Sequence, residues 1–272
     1  MKAFALPRVS QVQLFPAIAI ILLDVTAVVL IGAQSKPLGW YIWGIGVLSL
    51  GLCAQEFRKE LALVYFAVAV LGVTPISTDL STGHALFGTP LLTLAILVPY
   101  AVSRYIYRDR HVRFQWHHGR NWYGKEIAYV GLTAIVAYLL LPFMMRTSGS
   151  YIHWTVGPDA DSLVRLFIGC IALGIWDELF FVCTVLGILR RHLAFPVANV
   201  VQAVLFTAFL YELGFRGWAA PVIFVFALMQ GYIFSKTESL FYVVTIHLVA
   251  DIFLYLALIY AYHPSWTPIF IT

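Results

Sequence analysis

Charge is what this sequence has least of. Asp, Glu, Lys and Arg make up 11% of its 272 residues, against 61% hydrophobic, and its mean hydropathy is +0.87. A water-soluble domain needs a polar surface that such a composition cannot supply. Soluble enzymes are thereby excluded, and so are nucleic-acid-binding modules: the net charge of +4 and pI near 8.9 reflect topology, as shown below. Cysteine is also scarce. Cys53, Cys170 and Cys183 fall within or at the ends of apolar segments, without metal-like spacing or an even count, which argues against a disulfide framework and a cluster site. The chain further lacks an internal repeat, a low-complexity tract and the His-Glu-x-x-His motif of zinc proteases.

What remains is apolar length. A bilayer crossing takes roughly 20 apolar residues, and stretches approaching or exceeding that length lie at about 12 to 33, 38 to 54, 61 to 77, 85 to 103, 126 to 145, 163 to 189, 194 to 211, 218 to 235 and 239 to 261. The expected fold class is all-α, a polytopic membrane bundle of eight or nine transmembrane helices, the second and third being short. Three regions follow: N-terminal helices with a basic loop at 103–125 (residues 1–160), core helices (161–262) and a short tail (263–272). Asp24 and the length of the first run fit an uncleaved first helix better than a signal peptide.

Basic residues orient the bundle, because Lys and Arg in short loops stay on the cytoplasmic side. With the N-terminus inside, 13 of the 17 Lys and Arg residues fall in inner loops, three (Lys36, Arg146, Arg216) in outer loops and Arg165 within the sixth span. The expectation is N-terminus in, C-terminus out, in a bacterial-type cytoplasmic membrane. The aromatic and basic run at 103–125 suits a positive-inside loop lying on the leaflet, and Tyr151 and Trp154 suit the opposite interface.

The chemistry is concentrated in four ionisable residues within the spans. Asp177 and Glu178 sit in the sixth, His247 and Asp251 in the ninth. Ionisable groups in hydrocarbon are costly unless they pair or face a polar cavity, so they mark a functional site by default. On a straight helix rising 1.5 Å per residue, Asp177 and Asp251 each lie roughly 20 Å from the inner ends of their spans. The two helices are antiparallel, so these groups reach the same depth and can share a cavity built by the sixth, seventh and ninth helices. His247 and Asp251, four residues apart, share a helix face. One histidine with three carboxylates would suit a hard divalent cation better than zinc; no metal or other cofactor is expected.

At these residues the chain resembles the CAAX-processing and bacteriocin-processing (CPBP) intramembrane proteases. Asp177-Glu178-Leu-Phe-Phe-Val182, running on to Arg190-Arg191, is similar to that family's Glu-Glu-x-x-x-Arg helix. Lys236-Thr-Glu-Ser-Leu-Phe241 through His247-Leu-Val-Ala-Asp251 resembles its Thr-Gly-Ser-Leu turn and His-x-x-x-Asn/Asp motif, and Phe206-Thr-Ala-Phe-Leu210 falls where its Phe-x-x-x-His motif is expected. The resemblance covers roughly residues 163 to 261 and implies hydrolysis of a peptide bond inside the membrane, with a peptide or membrane-protein substrate and membrane lipids as partners. It implies Asp177 as the base that activates water, Glu178 as its structural partner, and His247 with Asp251 on the oxyanion side. Phe206, Leu210 and Glu212 become accessory or substrate-contacting candidates.

The departures from the motif are specific. Leu210 occupies the middle histidine's position, Val182 that of the arginine expected to pair with Glu178, and Asp177 is one methylene shorter than the usual Glu. Asp251, as a carboxylate, cannot donate to an oxyanion. Glu212 replaces the missing histidine only if its helix breaks near Gly214; otherwise it pairs with Arg216 at i, i+4. Two further readings therefore stand beside the protease: a pseudoprotease that binds membrane segments without cutting, and a proton- or cation-coupled transporter, the latter weakened by the lack of repeat halves.

Overall fold

A computed structural model of the chain describes residues 14–79, 81–109, 112–116, 122–266 and 268–270. Among these residues the chain forms nine long helices: α1 Leu14–Gly32, α2 Lys36–Leu50, α3 Gln55–Val73, α4 Thr82–Tyr107, α5 Gly124–Thr147, α6 Ala160–Leu189, α7 Phe195–Glu212, α8 Ala219–Thr237 and α9 Leu240–Tyr262. No strand occurs among them. Lys2, Arg8, Arg110 and Arg120, four of the basic residues assigned to inner loops, lie outside the described residues.

Seven of the nine helices are long and apolar enough to cross a membrane, fewer than the eight or nine spans expected. The two short segments make the difference. The 15-residue α2 is too short, and α3 opens with Glu56, Arg58, Lys59 and Glu60. Both nevertheless run antiparallel inside the bundle. Lys36 Nζ at the start of α2 donates to Gly72 O at the end of α3 (2.7 Å), and Tyr65 Oη in α3 donates to Ala19 O in α1 (2.6 Å).

Successive helices therefore alternate between two ends. One end gathers the turns near residues 34, 76, 153 and 215, tied together where Thr78 donates to His153 O and Gly214 takes φ +101° against the His153 side chain. The other gathers the turns near 52, 192 and 238 with the 112–116 segment, whose Gln115 O and Trp116 O accept from Leu240 N and Phe241 N. Arg58, Lys59, Arg104, Arg108, Arg113, Lys125, Arg190, Arg191 and Lys236 all belong to this second end.

Local chemistry starts and stops the helices that matter for the site. Asp159 caps α6 by accepting from Ser162 N (2.9 Å), which satisfies one of the four free amides of a first turn. Glu238, in the left-handed region at φ +48°, ends α8, and Ser239 caps α9 by accepting from Tyr242 N. The tight α8–α9 hairpin lays Gln230 beside Val243. Within α6 the winding widens to π turns over Glu178–Leu186, with Thr184 Oγ1 bonded to Leu179 O, five residues back. The straight α-helix assumed from sequence is thus interrupted directly at the acidic pair.

Trp154, in the turn at the non-basic end, is buried, edge-on to Phe215. Arg165 pairs with Asp161 (2.6 Å) and donates to Thr82 Oγ1 (3.0 Å).

Candidate active site

Asp177, Glu178, His247 and Asp251 converge in the interior, each less than a tenth exposed. Glu178 is completely buried, and its Oε1 lies 2.7 Å from His247 Nδ1. The other imidazole nitrogen, Nε2, stands 3.8 Å from Asp177 Oδ2 and 3.8 Å from Asp251 Oδ1. Two consecutive residues reach one imidazole because α6 changes winding between them, a device frequent at functional sites. Gly174, one turn earlier, lets α9 approach. A Cβ there would collide with Asp251 Oδ2 and stand 3.2 Å from His247 Cδ2.

A fifth member was not legible as a site residue. Gln230 of α8, 1% exposed, donates from Nε2 to Glu178 Oε1 (2.7 Å) and to Val243 O (3.1 Å). It supplies the donor that Val182, apolar and buried, cannot. An amide carries no charge and costs less in an apolar span than an ion, so it stood out less than the acidic pair, although the same desolvation argument applies to it. Since Glu178 as a carboxylate only accepts, its bond fixes the proton of neutral His247 on Nδ1 and leaves Nε2 as the nitrogen that can take one up.

Asp177 Oδ1, Glu178 Oε2, Gln230 Oε1 and Asp251 Oδ2 have no hydrogen-bond partner. Buried acceptors without partners are uncommon in a structural node; in a cleft they are places for a polar guest. A cavity of about 250 Å³ meets this cluster, lined by His247 and Asp251 together with Leu210, Phe226, Ala137 and Ala250 among others. Its walls are α5, α8 and α9, with α7 contributing Leu210; of the three helices expected to build it, α7 and α9 take part and α6 contributes no lining residue. Leu132, Val136, Val225 and Met229 at its flank are exposed side chains of membrane-spanning helices, so the cavity opens sideways. Asp177 and Glu178 are not part of its lining and lie behind His247.

The accessory candidates separate. Phe206 faces the His247 ring at 6.1 Å between centroids, with Phe226 edge-on at 5.1 Å. Leu210 lines the cavity beside His247. Glu212 stands apart: it lies in a different cavity with Arg216, 3.7 Å away at i, i+4, so the intact end of α7 keeps it out of the cluster. Among the described residues, no group of three or more His, Cys, Asp or Glu side chains has the arrangement of a metal site.

Residues 159–253 match the family model for type II CAAX prenyl endopeptidase, Rce1-like. Over that span the chain is similar to the CPBP proteases. The match begins at the cap of α6 and ends two residues past Asp251, so it encloses the whole cluster, Gln230 included. The matched family is one of proteases, and the seven apolar helices among the described residues make this chain a multi-pass membrane protein. No curated protein and no solved structure matches the chain.

Proposed function

We propose that the chain is an intramembrane endopeptidase in which His247 has taken over the activation of water. One observation carries the reading: His247 is held at Nδ1 by Glu178, while its ring lines an apolar cavity that opens on the flank of the bundle. A hydrophobic peptide segment, or a prenyl CAAX peptide of the kind the family description points to, would enter from the lipid side and bring its scissile carbonyl to His247 and Asp251.

Water bound between Nε2 and the Asp251 carboxylate gives its proton to Nε2 as its oxygen attacks the carbonyl carbon. The tetrahedral oxyanion forms beside an imidazolium. When the C–N bond breaks, the same proton passes from Nε2 to the leaving amine. Glu178 and Gln230 hold the tautomer and orientation of the ring, the part a buried carboxylate plays for a catalytic histidine. Asp177, 3.8 Å from Nε2, faces the charge that the ring acquires. This assignment moves the base from Asp177, which the motif alone implied, to His247, because Leu210 leaves no second histidine on α7.

A second reading, a pseudoprotease that binds membrane segments without cutting them, is favoured by Leu210 and Val182 at the two motif positions. Cleavage of prenylated and unprenylated fluorogenic peptides by the purified chain in nanodiscs separates the two. Turnover that falls about 10²-fold or more, the usual worth of a general base, in His247→Ala and Glu178→Gln supports the protease. Binding of the same peptides without turnover by the unmodified chain supports the pseudoprotease, and unchanged turnover in both variants refutes the site. The basic end of the bundle is taken as cytoplasmic, which puts the N-terminus inside.

A further inference from the structure

The end of the bundle opposite the basic turns contains a second cavity, about 810 Å³, between α1, α7 and α8. Val28, Val204, Ala208 and Phe224 make its walls towards the middle of the bundle, and Gln34, Glu212 and Arg216 stand where the helices end. Gly32 forms part of the wall where α1 packs on α7: a Cβ there would meet Ala208 O at 3.4 Å. Val28 and Tyr211 are exposed at its edge, so the cavity is open along the flank of the bundle. An apolar slot running along the helices and ending in charge has the shape and polarity of one phospholipid.

The charges indicate which one. Glu212 Oε2 has no hydrogen-bond partner and lies 3.7 Å from Arg216 Nη2, outside hydrogen-bonding range. Arg216 donates from Nε to Tyr211 O (3.4 Å) and stacks over the Tyr211 ring, which turns it along the cavity mouth. An acid and a base that face each other at 3.7 Å as an ion pair without a hydrogen bond match a zwitterion that carries both signs and can donate hydrogen bonds from its cation.

We infer that this cavity is a binding site for an amine-bearing phospholipid of the phosphatidylethanolamine type, its phosphate on Arg216, its ammonium on Glu212 and an acyl chain against Val204 and Phe224. A choline headgroup has no N–H for Glu212, and a glycerol headgroup has no cation, so neither completes the pair. The inference is independent of peptide cleavage and gives Glu212 a function away from the CPBP cluster.

The test is native mass spectrometry of the delipidated full-length chain titrated with phosphatidylethanolamine, phosphatidylcholine or phosphatidylglycerol of the same acyl composition. The ethanolamine lipid should bind about tenfold more tightly than the other two, since one charge-assisted hydrogen bond contributes on the order of 1.5 kcal/mol and 1.4 kcal/mol is a factor of ten. Glu212→Gln should remove that preference while leaving binding itself, and Arg216→Gln should weaken all three lipids. Ala220 also lines this cavity, and Ala220→Phe, which narrows it while keeping both charges, should reduce retention of the ethanolamine lipid. Equal binding of the three lipids by the unmodified chain, or an undiminished preference in Glu212→Gln together with undiminished retention in Ala220→Phe, overturns the site.

Discussion

Gln230 and Gly174 decide the local geometry of the cluster, and neither carries a charge. Replacing Gln230 by Leu leaves Glu178 with His247 as its remaining hydrogen-bond partner among the contacts described. A buried acceptor that loses a donor costs about 1–3 kcal/mol, so a lower midpoint of thermal unfolding in detergent is expected. Any peptide turnover should fall further than stability, because the imidazole loses its fixed orientation. Gly174→Ala should act by shape alone. Its methyl group collides with Asp251, and overpacking of this kind costs about 1–3 kcal/mol; thermal unfolding of the variant together with peptide cleavage measures both effects. Leu210→His, conversely, puts a second imidazole on the wall shared with His247, and a gain in turnover is the expected outcome. At this scale the sequence made the four ionisable groups legible through their desolvation cost, but not their pairing. The i, i+4 spacing placed His247 beside Asp251, whereas the hydrogen bond it makes is to Glu178, 69 positions away.

The elements hold the cluster by their ends and by one change of winding. Glu60 in the first turns of α3, 2% exposed, binds Arg191 and His192 (2.9 Å to the latter) just past the end of α6, so the position of α6 depends on a helix that is itself too charged to count as a span. Removing one partner of a buried ion pair costs about 3 kcal/mol or more. Arg191 and His192 keep some solvent access, so Glu60→Ala should lower stability by about 1–3 kcal/mol, read as a shifted unfolding midpoint. The cap of α6 offers a pH test. Hydrogen bonds from the Ser162 side chain and backbone hold the Asp159 carboxyl below its ordinary value of 3.8. A depressed carboxyl stabilises the fold above the unfolded value and loses that contribution as pH falls through the folded one. The gap between the unfolding midpoints of the unmodified chain and Asp159→Ala should therefore be flat above about pH 5 and close below about pH 4. The helices themselves were legible from apolar length, because lipid requires every backbone group to be satisfied within its own segment. The π turns at Glu178–Leu186 were not, since widened winding leaves no mark on hydrophobic runs this uniform.

For the molecule as a whole, the helices among the described residues alternate between two ends, and the basic turns gather at one of them. Cysteines introduced near residues 54 and 192 are expected to be labelled by an impermeant reagent only from the cytoplasmic side, and those near 34 and 79 only from the other; the reverse pattern would overturn the assigned orientation. Composition alone determined that this chain lives in a membrane, how many apolar segments it has and which end of the bundle is basic, because those properties follow from transfer free energy residue by residue and need no partner. The motifs at 177–182 and 247–251 likewise pointed to the family. Only the tertiary structure decided that Gln230 donates to Glu178, that Glu212 belongs to a different cavity and that α5 lines the cavity beside His247. Those facts depend on which helices touch and at what height, and side chains far apart in the chain acquire their distances only when the bundle closes.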